Sequence, residues 1–328
     1  DHPKINFGKT GVLLINLGTP DSTSWWDIRK YLKEFLSDKR VIEVNPIIWQ
    51  IILNLFILTF RPSKTAKAYK EIWMNDINKS PLRYYTEMQT KKLSERIESE
   101  NIIVDFAMRY GNPSISSKIE GMQKKGCENL IIFPLYPQYA SPTTATVCDE
   151  VFRVLMKMRW QPTIQIVPHY ESEPLYIDAL VKSINKKLTE INWKPDLIVA
   201  SYHGIPKKYF DKGDPYHCYC QKTTRLISEN FKKIKIITTF QSRFGPQAWL
   251  QPYTDKTLEK LPREGIKKVL VISPGFASDC VETLEEISIQ GKDLFEKSGG
   301  EKFEFIPCLN DSDDHIDLLE HLVLKSLN

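Results

Sequence analysis

Short apolar runs that alternate with helical patterns constrain the fold of this chain more than any other feature. Each run is rich in β-forming residues and ends in Gly, Pro or a polar cluster, which is typical of strands. The first half contains the runs 12–17, 102–108, 130–135 and 164–167, and the second half contains 197–200, 234–239, 269–273 and 303–306. Helical patterns fill most of the gaps, such as 84–100, 114–125, 148–158 and 175–190.

This alternation predicts parallel sheets with helices on both faces, because parallel strands need a crossover connection. Four strands in each half suggest a duplicated α/β architecture, although no repeat is visible residue by residue. We expect the boundary between the halves near residues 168–173.

The composition excludes several classes of protein. Apolar residues make up 41% of the 328 residues and charged residues 26%, as in a globular protein. The net charge of +4, from 45 basic and 41 acidic residues, is too small to predict nucleic-acid binding. Six cysteines without a C-x-x-C pair predict reduced thiols in an intracellular protein. The first residues show no apolar signal core, and we expect no apolar run to be long enough to span a bilayer.

The segments that follow the strands carry the chemistry. In open parallel sheets, ligands bind at the carboxyl ends of the strands. Here those ends are rich in aromatic residues, Arg and His, and Gly18 stands alone after its strand. Because neither G-x-G-x-x-G nor a P-loop is present, a nucleotide enzyme is disfavoured. A large, flat, partly aromatic ligand fits these strand ends better.

Residues 269–286, VLVISPGFASDCVETLEE, combine a buried strand, a Pro-Gly turn and a helix start. On an α-helix, Asp279, Glu282 and Glu286 would share one face near the positive N-terminal end. Such a face suits a metal ion or a proton. The alternative is a capping box, in which Glu282 reaches back to a cap at Ser278 or Asp279.

His203 directly follows the strand 197–200, in the sequence SYHGIP. We expect Glu282 to be its partner at the strand ends. An imidazole with a carboxylate suits an open site for a divalent metal, and equally a general-base pair. Two ligands hold a metal weakly, which suits a site that passes the ion on. The alternative is a histidine with a structural role.

Two further segments remain open on the residues alone. The apolar segment 47–60 is either a buried core helix or a surface that dips into anionic lipid, since Arg61, Lys64 and Lys67 follow it. Arg61 and Lys64 either clamp carboxylates or begin a solvated helix. The cluster 217–220, His-Cys-Tyr-Cys, lacks a second ligand pair for zinc and is interpreted as structural or redox-silent.

Four ordered motifs resemble those of the ferrochelatase family, which inserts Fe²⁺ into a porphyrin in the last step of haem synthesis. They are LLINLGTPDS at 13–22, SYHGIPKKYFDKGDPYHCYC at 201–220 with a Thr at 223, FQSRFGPQAWLQPYT at 240–254 and PGFASDCVETLEE at 274–286. The similarity extends over essentially the whole chain.

The resemblance implies two similar Rossmann-like halves, 1–170 and 171–328, with the active cleft between them. His203 and Glu282 match the pair assigned to iron binding and pyrrole deprotonation, and Asp279 and Glu286 match an acidic track. Propionate-binding positions match Arg61, Lys64 and Ser242. Other positions that line or support the pocket match Leu17, Tyr69, Ser80, Arg109, Tyr110, Tyr136 and Trp249.

The departures from animal family members imply a simpler, bacterial type of enzyme. Ser141 stands where those members have a cluster cysteine, and the chain ends in LVLKSLN, so we expect no [2Fe–2S] cluster and no permanently bound cofactor. Cys280 and Leu17 replace the animal His and Met. The segment 46–64 falls where the family has a lip that faces the membrane. We therefore expect a cytoplasmic protein bound peripherally to the membrane, with protoporphyrin IX and Fe²⁺ as substrates and an iron-delivery protein as a partner.

Two other functions compete with this one. A tetrapyrrole carrier would keep the lip and the basic residues but would not need both His203 and Glu282. A related chelatase that uses another metal and macrocycle would generally lack the lip, which favours protoporphyrin over coproporphyrin or sirohydrochlorin.

Overall fold

The computed structural model describes residues 6–327, and this part of the chain forms two four-stranded, all-parallel sheets. The strands of the first sheet are β1 (Lys9–Thr19), β2 (Ile102–Gly111), β3 (Cys127–Pro134) and β4 (Thr163–Ile166). Those of the second are β5 (Leu197–His203), β6 (Lys235–Gln241), β7 (Lys268–Ile272) and β8 (Lys302–Ile306). All the strands expected from the apolar runs are thus confirmed.

The two sheets have the same strand order. The order is β2-β1-β3-β4 in the first sheet and β6-β5-β7-β8 in the second. In each sheet the second strand in sequence lies on one side of the initial strand, and the third and fourth strands lie on the other side. This correspondence confirms the predicted duplicated α/β fold with helix-flanked sheets.

The helices occupy most of the connections. Before β4 they are α1 (Trp25–Leu36), α2 (Pro46–Ile52), π1 (Leu53–Ile57), α3 (Leu58–Ile72), α4 (Pro81–Ile97), α5 (Ile115–Lys124), π2 (Ser141–Ala145) and α6 (Thr146–Leu155). After β4 they are α7 (Pro174–Glu190), α8 (Lys207–Asp211), α9 (Tyr216–Ser228), α10 (Thr254–Lys260), the 3₁₀ turn Leu261–Glu264, π3 (Glu282–Gly291), α11 (Lys292–Lys297) and α12 (Asp313–Leu327). Three segments are π-helical, which the sequence pattern did not indicate.

The described chain divides into two compact units. The first unit contains residues 6–135, 141–168 and 316–327, and the second contains 136–140 and 169–315. These units are not two continuous halves. Residues 136–140 join the second unit because Pro137 accepts a hydrogen bond from Tyr170 N and Gln138 donates to Thr223. Most of α12, from Ile316 onwards, joins the first unit, where Arg96 pairs with Asp317.

Strand centres form the core of each unit. Val12–Ile15 of β1 and Ile198–Ala200 of β5 are fully buried, as expected for parallel strands covered on both faces. Gly18, near the end of β1, has φ +118°, and a Cβ there would lie 1.8 Å from Tyr110 O of β2. This glycine therefore serves a close approach of two strands and not a phosphate.

Candidate active site

His203 is the last residue of β5 and is half-buried at the carboxyl edge of the second sheet. Its Nδ1 lies 2.6 Å from the carbonyl oxygen of Gly204. Because a carbonyl can only accept, Nδ1 carries the proton of the neutral ring, and Nε2 carries the lone pair. The imidazole therefore presents one basic nitrogen at the strand end, suited to a proton or a metal ion.

The turn after His203 is held from the neighbouring strand end. Gly204 N donates to Gln241 O at 2.8 Å, and a Cβ at position 204 would lie 2.8 Å from that oxygen and 3.3 Å from the Trp249 ring. Only glycine fits between them. The Trp249 indole N–H in turn donates to Phe244 O at 2.9 Å, which fixes the loop that leads away from β6.

Gln241 connects the histidine strand to the acidic helix. It pairs with His203 in the sheet register and is buried. Its Nε2 donates to the carbonyl oxygen of Glu282 at 2.7 Å, and its Oε1 accepts from Ser201 Oγ at 2.7 Å. One side-chain amide thus fixes the helix start relative to the strand that carries the imidazole.

Glu282 and Glu286 lie on π3, a helix of wider turn than an α-helix. Their separation is close to one turn, so the two side chains leave nearly the same face. The Glu286 carboxylate accepts from Ser242 N at 2.7 Å and from Ser242 Oγ at 2.5 Å. Burial raises the pKa of the Glu286 carboxyl, the Ser242 hydrogen bonds oppose that rise, and neighbouring Glu282 adds to it.

Ser242 itself has φ +63°, a conformation that non-glycine residues rarely adopt. Both of its donors, N–H and hydroxyl, are directed at Glu286. A cavity of about 330 Å³ adjoins this contact and is lined by polar and apolar side chains, including Ser242, Arg243, Asp255, Glu286, Gln290 and Leu294.

Asp279 does not share the face of Glu282 and Glu286, contrary to the α-helical spacing argument. It precedes π3 and is only 3% exposed. Its carboxyl oxygens accept from Asn310 Nδ2, Thr283 Oγ1 and Cys308 N at 2.7, 3.0 and 3.2 Å. At this helix start, Thr283 Oγ1 accepts from Cys280 N at 3.0 Å, and Asp279 N, which a capping box would pair with Glu282, donates to Asn310 Oδ1 at 2.8 Å.

The first unit holds the remaining candidates for the porphyrin site, apart from Tyr136, which is half-buried in the second. Leu17 on β1 and Arg61 on α3 are half-buried, and Lys64 is exposed. Tyr69 is buried against Trp73, and Ser80 caps α4 by accepting from Arg83 N at 3.3 Å.

Arg109 and Tyr110 are both buried at the end of β2. The Arg109 guanidinium pairs with Asp38, and Tyr110 donates to the same carboxylate at 3.0 Å. Burial raises the pKa of the Tyr110 hydroxyl far above its usual value. These contacts support the fold around the strand end.

The apolar segment 47–60 is not a buried core helix. Its outward residues are largely exposed, with Ile47 at 75% and Phe60 at 72%, whereas Leu53 and Leu58 are buried. Because α2, π1 and α3 are continuous, the described chain contains one helix, Pro46–Ile72, that is long and apolar enough to cross a membrane. The expectation that every apolar segment is too short is therefore wrong by this measure.

Other metal-binding arrangements are not evident. Within residues 6–327, no group of three or more His, Cys, Asp or Glu side chains is placed to hold a metal ion. His217 stacks on Phe240, with ring centroids 5.7 Å apart, and burial lowers the pKa of its imidazole. Cys218 is exposed while Cys220 is buried, so the cluster 217–220 does not converge.

Two site residues escaped the sequence reasoning. Gln241 lies directly before Ser242 at the end of β6, and this position at a strand end was the one sequence feature that could have indicated a role in the site. Asn310 gave no indication at all, because it lies in a loop 31 positions from Asp279.

Two all-parallel, four-stranded sheets with this strand order, flanked by helices, form a chelatase-like fold. The fold resembles that of a multi-domain protein from Deinococcus radiodurans described as similar to chelatases, with a TM-score of 0.54 and 8% identity. The likeness covers 97% of this chain and 55% of that one, so this chain spans about half of that protein. It shows the fold alone.

Sequence comparison gives the particular family. The ferrochelatase family profile matches residues 9–327. Proteins named ferrochelatase from Allorhizobium ampelinum and Rhizobium meliloti are 56% and 54% identical to this chain over its full length, covering 96% and 97% of those proteins. The chain belongs to the ferrochelatase family.

Proposed function

We propose that this chain inserts Fe²⁺ into protoporphyrin IX to form protohaem, releasing two protons, as a metal chelatase of the lyase class in haem biosynthesis. Family membership over nearly the whole chain supports this function. The observation that carries the mechanism is the single amide of Gln241 that joins the imidazole strand to the carboxylate helix.

The chemical problem is the weak acidity of the two pyrrole N–H groups in a planar macrocycle. A bent macrocycle exposes its nitrogen lone pairs, so an enzyme gains rate by binding the bent form more tightly than the flat one. His203 Nε2 and the Glu282 carboxylate then divide proton acceptance and iron binding between them, in one order or the other. Glu286, one helical turn further on, extends the acidic surface beside the cavity.

The macrocycle needs anchors of two kinds. We assign its propionates to Arg61 and Lys64, because guanidinium and ammonium groups pair well with carboxylates. The half-buried Leu17, Tyr136 and Trp249 are assigned to apolar contact, and the buried Tyr69, Ser80, Arg109 and Tyr110 to support. A propionate role for Ser242 requires that its hydroxyl leave Glu286.

We place the protein in the cytoplasm, bound peripherally to the membrane through the lip 46–64. A spanning position for Pro46–Ile72 would draw Arg61 and Lys64 into the bilayer core, because the apolar residues 46–60 alone cover about 15 residues, or about 22 Å. Arg61, Lys64, Lys67 and Lys70 follow within the same helix, and a basic flank favours anionic headgroups over a spanning position.

Fe²⁺ is a substrate in this proposal, and no resident cofactor or [2Fe–2S] cluster takes part. Ser141 and the bacterial relatives support the simpler type of enzyme. An iron-delivery protein is proposed as the source of the ion, because a two-ligand site does not retain iron on its own.

An anaerobic assay with Fe²⁺ and protoporphyrin IX, followed by loss of porphyrin fluorescence, tests the function. The wild type is expected to turn over, and His203→Ala is expected to bind porphyrin but not to metallate it. His321→Ala, on the exposed side of α12, is the matched control. Turnover by His203→Ala would contradict the mechanism. Porphyrin binding without turnover would indicate a carrier, and turnover of coproporphyrin or sirohydrochlorin alone would indicate a related chelatase.

A further inference from the structure

Asp279 and Asn310 form a reciprocal pair of hydrogen bonds in the buried part of the second unit. Asp279 N donates to Asn310 Oδ1 at 2.8 Å, and Asn310 Nδ2 donates to Asp279 Oδ2 at 2.7 Å. Both residues are less than 10% exposed. The oxygen and the nitrogen of the Asn310 side-chain amide both contact Asp279, one at its backbone N–H and the other at its carboxylate. The pair therefore fixes the backbone and the carboxyl group of Asp279 together.

Asn310 is itself held in an unusual conformation. Its φ of +50° lies in the left-handed region, and its carbonyl oxygen accepts from His315 Nδ1 at 2.6 Å. His315 is 1% exposed in the first turns of α12. The amide of Asn310 is thus aimed at Asp279 by contacts on its other side.

The other carboxyl oxygen of Asp279 reaches the start of π3. It accepts from Thr283 Oγ1 at 3.0 Å, and the same hydroxyl accepts from Cys280 N at 3.0 Å. Residues 280–283 enclose Glu282, the carboxylate expected to react. The backbone around Glu282 is therefore tied, through Thr283 and Asp279, to Asn310.

We propose that Asp279 and Asn310 are positioning residues for Glu282, and that Asp279 anchors the helix instead of carrying iron. The proposal rests on the proposed function for its catalytic readout. Asp279 lies buried with its carboxyl oxygens turned to an amide, a hydroxyl and a peptide N–H, so it is poorly placed to exchange ligands with a passing ion. A displacement of Glu282 by about 1 Å is enough to lower kcat about 100-fold.

Exchanging Asp279 and Asn310 distinguishes a role of Asp279 in anchoring the helix from a role in binding iron. Asn310→Asp alone sets two carboxyl groups against each other, and Asp279→Asn alone sets two amides in contact. Each single variant is expected to lose about 10- to 100-fold in kcat, with the porphyrin KM changed less than about threefold. The double variant Asp279→Asn/Asn310→Asp restores a complementary pair, and we expect it to recover most of kcat. If the double variant stays as inactive as Asp279→Asn while melting like the wild type, the anchoring role is wrong.

Hydrogen exchange provides a readout that does not depend on activity. Amides of residues 280–287 are expected to exchange faster in both single variants and at the wild-type rate in the double variant, while α7 is unchanged. If the wild type fails to metallate protoporphyrin, hydrogen exchange still tests whether Asp279 and Asn310 anchor the start of π3. Thr283→Val tests the same link with a smaller change, and Asn230→Asp, at an exposed site, is the control. Unchanged exchange in every variant would overturn the proposal.

Discussion

The side-chain amide of Gln241 donates a hydrogen bond of 2.7 Å to the carbonyl oxygen of Glu282, across 41 positions of sequence. The main-chain carbonyl of Gln241 also accepts from Gly204, directly after His203. The backbone beside the imidazole and the backbone that carries the carboxylate are therefore held by the same residue.

Replacing Gln241 by Leu should lower activity more than substrate affinity. The variant leaves the Glu282 carbonyl and the Ser201 hydroxyl without this partner, which costs about 1–3 kcal/mol of unfolding free energy. We expect kcat to fall about 10- to 100-fold, because second-layer contacts of a metal site have effects of that size. Urea unfolding and steady-state chelation measure both. Gln165→Leu, at an exposed glutamine of β4, should change neither, and an unchanged kcat in Gln241→Leu would refute the positioning role.

Arg109→Met should destabilise the protein rather than weaken porphyrin binding. The guanidinium is buried against Asp38 and donates to Thr146 O at 2.9 Å, so its removal leaves a buried carboxylate unpaired. Breaking such a pair costs about 3–5 kcal/mol. Asp38→Asn should cost a similar amount, whereas Arg153→Met, which removes an exposed pair with Glu150, should cost less than about 1 kcal/mol. A rise in porphyrin KM without loss of stability would show that Arg109 contacts the substrate.

Stability should fall in acid because of His315. Burial lowers the pKa of its imidazole from 6.5 to about 4. Well above pH 6.5 the ring is neutral in both the folded and the unfolded chain. As the pH falls below 6.5, only the unfolded chain takes up the proton, so stability is lost until the pH passes about 4, by about 3 kcal/mol in total.

Comparison of wild type with His315→Asn isolates this effect. The asparagine amide can still donate to Asn310 O but does not titrate. The difference in unfolding free energy between the two proteins should change between pH 6.5 and 4 and stay constant above pH 7. A difference that does not vary with pH would show that His315 is not held neutral.

The lip should bind anionic membranes through its exposed apolar residues. Ile47 and Phe60 are 75% and 72% exposed, and replacing both by Ser removes apolar area worth about 10-fold in affinity for each residue. Flotation with vesicles that contain anionic lipid measures the loss. Met156→Ser, an equally exposed apolar residue on the segment after α6, should leave binding unchanged, and equal binding by the lip variant would exclude the lip as the contact.

The sequence by itself determined the strands and the family. The eight apolar runs became eight strands because a strand covered on both faces must be apolar along its length, and that pattern is local. His203 and Glu282 could be chosen for the same kind of reason, since each follows a strand within a recognisable motif. Glu286 could be chosen in the same way, because it lies in the same motif as Glu282.

Only the tertiary structure decided which acidic residues are available for chemistry. Asp279 and Glu286 look alike in the sequence, yet the first is buried by Asn310 and Cys308 and the second is held by Ser242. Their partners lie between 29 and 44 positions away, so no local pattern reports them. The wider turn of π3 was equally hidden, because the spacing of its acidic residues was read on an α-helix and nothing in that local pattern indicates a π-helix.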